Sequence, residues 1–143
     1  MADVIKIDEY TYRIEDGFVR FFLLIGEDKA ALIDSGAMCK DALQLAKKIT
    51  DKEVILVNTH GDGDHTSGTA CFDKIYMHIN DYEGCGVNTK YPDTSLVALN
   101  DNDEIDLDRT IEVYEQTKMI HYINLVFSGL CFIFVICLNI VIF

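Results

Sequence analysis

A buried strand that runs directly into a loop of histidines and aspartates constrains this chain more than any other feature. Val54 to Val57 are four consecutive apolar or β-branched residues, a pattern that predicts a short buried strand ending at Asn58-Thr59. His60, Asp62, Asp64 and His65 then follow within six residues. Gly61 and Gly63 stand between them, where glycine lowers the steric cost of unusual backbone angles in a tight loop. A loop at the end of a buried strand is a good place for a site, because the scaffold behind it is rigid.

Mixed imidazole and carboxylate donors suit zinc, manganese or iron rather than calcium, which takes oxygen ligands only. Four donors this close can serve two metal ions about 4 Å apart, the arrangement of two-metal hydrolases. A solvated acidic turn is the bland alternative, but a turn does not need two histidines flanking two aspartates. A calcium loop of the EF-hand type fails on spacing, since no closing glutamate stands at the right distance.

The run Thr59-His60-Gly61-Asp62-Gly63-Asp64-His65 resembles the His-x-His-x-Asp-His signature of the metallo-β-lactamase-fold hydrolases, with Asp62 in place of the second histidine. The resemblance implies that His60 and Asp62 hold a first metal and that Asp64 and His65 hold a second. It also makes Asp64 the catalytic residue that orients the attacking hydroxide. Up to two Zn2+ ions are implied, with iron or manganese as alternatives. Leu32-Ile33-Asp34-Ser35-Gly36 is similar to the family's Leu-Ile-Asp-x-Gly segment, whose aspartate braces the metal loop. Asp34 is therefore the candidate supporting residue, although Asp, Ser and Gly are also ordinary turn formers.

The implied fold is α/β, the N-terminal part of an αββα sandwich, here followed by an apolar C-terminal helix. The likeness covers about Ile5 to Glu115. Beyond such a point the family continues with a Pro-Gly-His loop, a bridging aspartate and a last histidine. Gln116-Thr117-Lys118 stands where that loop should begin, and His121 lacks the Pro-Gly context. The expectation is a truncated and weak or inactive hydrolase.

Strands are predicted at Val4–Ile7, Thr11–Ile14, Phe18–Ile25, Ala30–Ile33, Lys74–His78 and Ser95–Leu99. A helix is predicted over Lys40–Thr50, where Ala42, Leu45, Ala46 and Ile49 share one face. A short helix is expected to begin over Thr66–Ala70, with Thr66 or Ser67 as its cap, and a helical turn at Asn80–Cys85. Gly84–Asp93 reads as a loop, and Asn100–Glu104 as a solvated acidic turn. Ile105–Leu107 and Thr110–Tyr114 read as a hairpin around Asp108-Arg109. His78 reads as a solvated histidine at a strand end, and Cys71 as a small buried residue.

Charge divides the chain sharply. All 24 acidic and 12 basic residues lie between Asp3 and Lys118, and none follows. A net charge of −12 argues against a nucleic-acid surface, which needs clustered Lys and Arg. The five cysteines form no C-x-x-C pair and read as free thiols in a reducing compartment. No signal peptide is visible at the start. These features predict a cytoplasmic body over residues 1–118, and the resemblance implies a small-molecule substrate.

They also predict a membrane-seeking helix over residues 120–143. Its 22 uncharged residues from Tyr122 match the roughly 20 needed to cross a bilayer. A genuine membrane anchor, an out-of-frame translation and a buried core helix compete for this tail, and the AT-rich codon character favours the second. The alternative to a metallo-hydrolase is accordingly a non-catalytic, tail-anchored membrane protein or the product of a frameshifted gene.

Overall fold

The computed structural model describes residues 2–107. Seven strands form one mixed sheet in which spatial order equals sequence order. They are β1 (Asp3–Lys6), β2 (Thr11–Asp16), β3 (Val19–Ile25), β4 (Lys29–Ile33), β5 (Glu53–Val57), β6 (Lys74–His78) and β7 (Ser95–Leu99). The helices are α1 (Ala42–Lys47), α2 (Ile79–Gly84) and α3 (Val87–Lys90). A 3-10 turn, Thr69–Cys71, precedes β6.

The first four strands are antiparallel neighbours and the last four are parallel. The reason is local. β2 and β3 are joined by the two residues Gly17-Phe18, with Gly17 at φ 71°, which suits a tight hairpin that follows the twist of its strands. From β4 onward each connection carries helical structure or the metal loop, and a parallel return needs such a crossover. β4 is the centre of the packing. Ala30, Ala31, Leu32 and Ile33 are at most 2% exposed, as a strand covered on both faces should be. Ile14, Phe21, Leu23, Leu56, Ile75 and Met77 join Leu32 in the core, and α1 adds Ala42 and Ala46. The β1 edge, by contrast, is exposed along its whole length.

Several expectations change. The helix predicted over Lys40–Thr50 narrows to Ala42–Lys47, flanked by turns, because the Asp41 side chain at its N-cap makes no capping hydrogen bond and the chain must turn into β5. Ala42 and Ala46 do face the core, with Leu45 and Ile49 packed beside them. Thr66 and Ser67 cap no helix. Gly68 precedes the 3-10 turn, and the Thr66 hydroxyl instead donates to the Asp62 carbonyl at 3.1 Å. The Gly84–Asp93 segment contains α3. His78 is not merely solvated: its Nδ1 accepts the Asn80 N–H at 3.2 Å and caps α2. Cys71 is half-buried, and its thiol donates to the Lys40 carbonyl. Ile105–Leu107 forms no strand, yet Leu107 is fully buried and its carbonyl accepts the Glu27 N–H at 3.0 Å.

The predicted arm Thr110–Tyr114, His121 and the apolar helix over 120–143 lie outside the described residues. Among the described residues, no helix is long and apolar enough to cross a membrane.

Candidate metal centre

The candidate site stands at the carboxyl ends of two adjacent parallel strands, β4 and β5. This is where open parallel sheets commonly form their crevices. β4 delivers Asp34 and β5 delivers the loop from Asn58 to Thr66. Asp34 turns sharply out of its strand at φ 65°, in the left-handed region that aspartate tolerates better than most side chains. The turn keeps its N–H on the Val57 carbonyl at 2.8 Å while aiming the carboxylate at the loop.

Asp34 is 5% exposed, and its carboxylate organises both histidines. Oδ1 accepts the Thr59 N–H at 2.8 Å. Oδ2 accepts the Thr59 hydroxyl at 2.8 Å and meets His65 Nδ1 at 2.8 Å. The Thr59 oxygen in turn lies 2.9 Å from His60 Nδ1. A hydroxyl that gives its proton to the carboxylate can only accept from the ring, so the network puts the His60 proton on Nδ1. One carboxylate thus orients both rings, His65 directly and His60 through Thr59, and leaves both Nε2 atoms for another partner.

Those Nε2 atoms face the loop carboxylates. His60 Nε2 is 3.5 Å from Asp62 Oδ2, and His65 Nε2 is 3.7 Å from Asp64 Oδ2. The two ring centroids are 4.0 Å apart. Asp62 is 66% and Asp64 40% exposed, so both carboxylates keep freedom to move. Among the described residues, no three His, Cys, Asp or Glu side chains already converge on one point. The donor chemistry still fits a divalent metal: two imidazoles held by a buried carboxylate behind, with two free carboxylates in front.

The backbone of the loop is tied down separately. The His65 carbonyl accepts from the Ser35 N–H at 2.8 Å, the Ser35 hydroxyl at 3.2 Å and the Asn58 amide at 3.0 Å. Asp62 O accepts the His65 N–H at 3.0 Å, and the Tyr91 hydroxyl donates to Thr66 O at 2.5 Å. Behind Ser35, the buried Asp16 carboxylate accepts three consecutive N–H groups, those of Ala37, Met38 and Cys39, at 2.9, 2.7 and 2.9 Å. Gly36 lies so close that a Cβ there would meet Asp16 Oδ2 at 2.5 Å.

The glycines of the loop serve another purpose than the one expected. Neither Gly61 nor Gly63 has a positive φ. Gly61 provides space instead: a Cβ on it would stand 2.4 Å from Cys85 Cβ and 2.8 Å from the Asp81 carbonyl.

Electrostatics follow from the geometry. Burial pushes His65 down, but the Asp34 hydrogen bond and charge, then Asp64 and Asp62, outweigh it and hold the imidazole above its ordinary value. Burial, and after it the charges of Asp62 and Asp81, push the Cys85 thiol up.

The loop and Asp34 were legible in the sequence. Thr59, Ser35, Asn58, Asp16 and Cys85 were not. Thr59 precedes His60 directly, and that adjacency was the available signal. Asp16 and Cys85 lie far along the chain and carry no motif.

Comparison with known proteins follows the same lines. Residues 14–82 match the sequence profile of the metallo-beta-lactamase superfamily. No functionally curated protein matches the sequence. Among solved structures, DIM-1 metallo-beta-lactamase is similar at TM-score 0.60 and 18% identity, over 74% of this chain and 55% of that one. A metallo-beta-lactamase from Pontibacter korlensis gives TM-score 0.58 and 14% identity, over 74% and 56%. One from Hirschia baltica gives 0.57 and 11%, over 73% and 56%. The chain therefore spans little more than half the length of these solved relatives. From the profile match over residues 14–82 and these structural likenesses, this chain is a metallo-β-lactamase-fold protein.

Proposed function

We propose that this chain is a metal-dependent hydrolase that binds zinc at the His60–Asp62 and Asp64–His65 pairs. Iron or manganese is the alternative metal, and Asp34 is the supporting residue. The reaction class is cleavage of an ester, thioester, amide or phosphoester bond in a small molecule. One observation carries the reading: both imidazoles are anchored through Nδ1, directly or through Thr59, so each Nε2 is turned to a mobile carboxylate. That is the support a metal-binding histidine needs.

When bound, the metal supplies Lewis acidity and makes a water acidic enough to serve as nucleophile near neutral pH. Asp64, half-exposed beside His65, would help to hold the metal and would orient the attacking water. Asp34 keeps the His65 ring from turning, and Thr59 does the same for His60. The fold does not choose the substrate. A β-lactam amide enters the list only through the names of the relatives.

The test is metal analysis of the purified chain, then a panel of chromogenic esters, thioesters, phosphoesters and lactams with and without chelator. Chelator-sensitive turnover supports the reading, and Asp64→Asn should lower it by roughly 10²–10⁴-fold. Turnover that survives chelation, or metal binding without turnover on any member, overturns the hydrolase. The second outcome would leave a non-catalytic metal-binding protein.

The two-part organisation is the other half of the proposal. A body to residue 118 would act at a membrane surface through the uncharged segment 120–143. Release of the whole chain from cell membranes by carbonate, without detergent, would contradict it.

A further inference from the structure

Gly63 stands between two of the candidate ligands, Asp62 and Asp64, and a cation overlooks it. A Cβ on Gly63 would lie 3.5 Å from Lys90 Nζ. Lys90 closes helix α3, so it reaches the loop from the connection between β6 and β7. Several contacts fix its place. The ammonium lies 5.1 Å from the centroid of the Tyr91 ring, within cation–π range. Tyr91 is itself buried, and its hydroxyl donates to the Thr66 carbonyl at the end of the metal loop. Helix end, ring and loop are thus tied together, and the lysine is held to the same piece of chain as the metal donors.

What this ammonium lacks is a counter-charge. Among the described residues it forms no ion pair, although the exposed carboxylates of Asp62 and Asp64 flank Gly63 and face the histidines instead. Other lysines are used to hold the fold. Lys52 Nζ donates to the Gly26 and Glu27 carbonyls, and Lys47 Nζ to those of Asp51 and Lys52. Lys90 keeps its three donors for a partner from solvent. In a chain of net charge −12 the overall field repels anions. A cation fixed at the rim of this loop is the feature that lets an anionic ligand approach it.

We infer that Lys90 anchors an anionic group of the substrate, a carboxylate or phosphate that stands apart from the bond to be cleaved. The substrate class then narrows to small anionic molecules. Lys90 takes no part in bond making. Its ammonium is a point charge on a flexible stem, so it accepts either anion without a fixed fork geometry. The inference rests on the metal reading above and adds a substrate contact to it.

The experiment uses the full chain loaded with zinc. Succinate and 3-phosphonopropionate are titrated by calorimetry at low salt, each against succinamate, which keeps one carboxylate for the metal and replaces the other by a neutral amide. The dianions should bind roughly 3–10-fold more tightly than succinamate, as one exposed charge-assisted contact allows. The dianion with the larger margin identifies the anion that Lys90 prefers. Lys90→Gln should erase the margin, and Lys90→Arg should keep it. Zinc affinity of Lys90→Gln should not fall, since removing a nearby cation does not weaken the binding of another. A fall would make Lys90 a support of the loop and overturn the assignment. Succinate should also slow acetylation of Lys90 in the unmutated chain, read by peptide mass mapping with the exposed Lys48 as internal control. That readout does not depend on a variant folding. Zinc binding with no margin between dianion and monoamide, and with Lys90 acetylated at an unchanged rate, overturns the Lys90 assignment and leaves the metal site standing. Failure of the unmutated chain to bind zinc overturns both.

Discussion

At the scale of the residue, Asp34 concentrates the most consequence. It stands in the left-handed region, a conformation that costs an ordinary residue of order 1 kcal/mol or more. Asparagine tolerates that region equally well, so Asp34→Asn tests the carboxylate without disturbing the backbone. Zinc affinity should fall by roughly 10–100-fold, measured by competition with a chromophoric chelator. The same change should lower the His65 pKa, read by NMR titration of the metal-free chain, because the bond and charge that raise it are removed.

The sign of the pH dependence follows from that raised value. The native metal-free chain holds the His65 proton more tightly than the unfolded chain does. The stabilisation from the His65–Asp34 pair is therefore complete below the ordinary histidine value, about 6.5. It is lost as pH rises through the raised native value. Urea midpoints of the metal-free chain across this window should show the decline, and Asp34→Asn should flatten it. Metal binding should have the opposite slope, weakening as pH falls and protons occupy the His65 ring.

At the scale of the element, the turn after β4 is held by a carboxylate rather than by a helix cap. Asp16 at the end of β2 accepts the N–H groups of Ala37, Met38 and Cys39, and α1 starts only at Ala42. Each such donor left unpaired costs about 1–3 kcal/mol when buried, and part of this turn can recruit water. Asp16→Ala should therefore destabilise the chain by roughly 2–4 kcal/mol in urea unfolding. It should also weaken metal binding, since Ser35 and Gly36 hold the loop through His65 and Ser67.

This is also the scale at which the sequence misled. Strands β2 to β6 were readable within one to two residues because alternating or continuous apolar runs are bounded by Gly and Asp. The helix from Lys40 reads too long because its apolar face continues to Ile49, while Asp41 at its start makes no side-chain cap. The 3-10 turn at Thr69 was misplaced because Thr66 and Ser67 are good caps by type. The Thr66 hydroxyl instead bonds back within the loop, to the Asp62 carbonyl, and the Ser67 N–H reaches across the fold to the Gly36 carbonyl. A long-range bond like the second leaves no local signature.

At the scale of the whole molecule, charge and topology matter most. The chain carries a net −12 and gathers Asp34, Asp62 and Asp64 around two imidazoles. Without metal, these charges repel one another. Raising salt from about 0.01 to 0.15 M shortens the screening length from about 30 to 8 Å. The urea midpoint of the metal-free chain should rise accordingly, and rise less once zinc is bound. An unchanged midpoint would mean that the acidic side chains are spaced too widely to interact.

The sheet's running order has a consequence for synthesis. Among the described residues, every strand pairs with the one made just before it, and none waits for a distant partner. The Asp34–His65 bond spans only 31 residues. As the chain leaves the ribosome, β4 and β5 can pair and the metal loop can close on Asp34 before β6 has been translated. A metal ion could therefore be captured by the nascent chain, which would make its availability during translation, rather than in the finished protein, the event that fills the site.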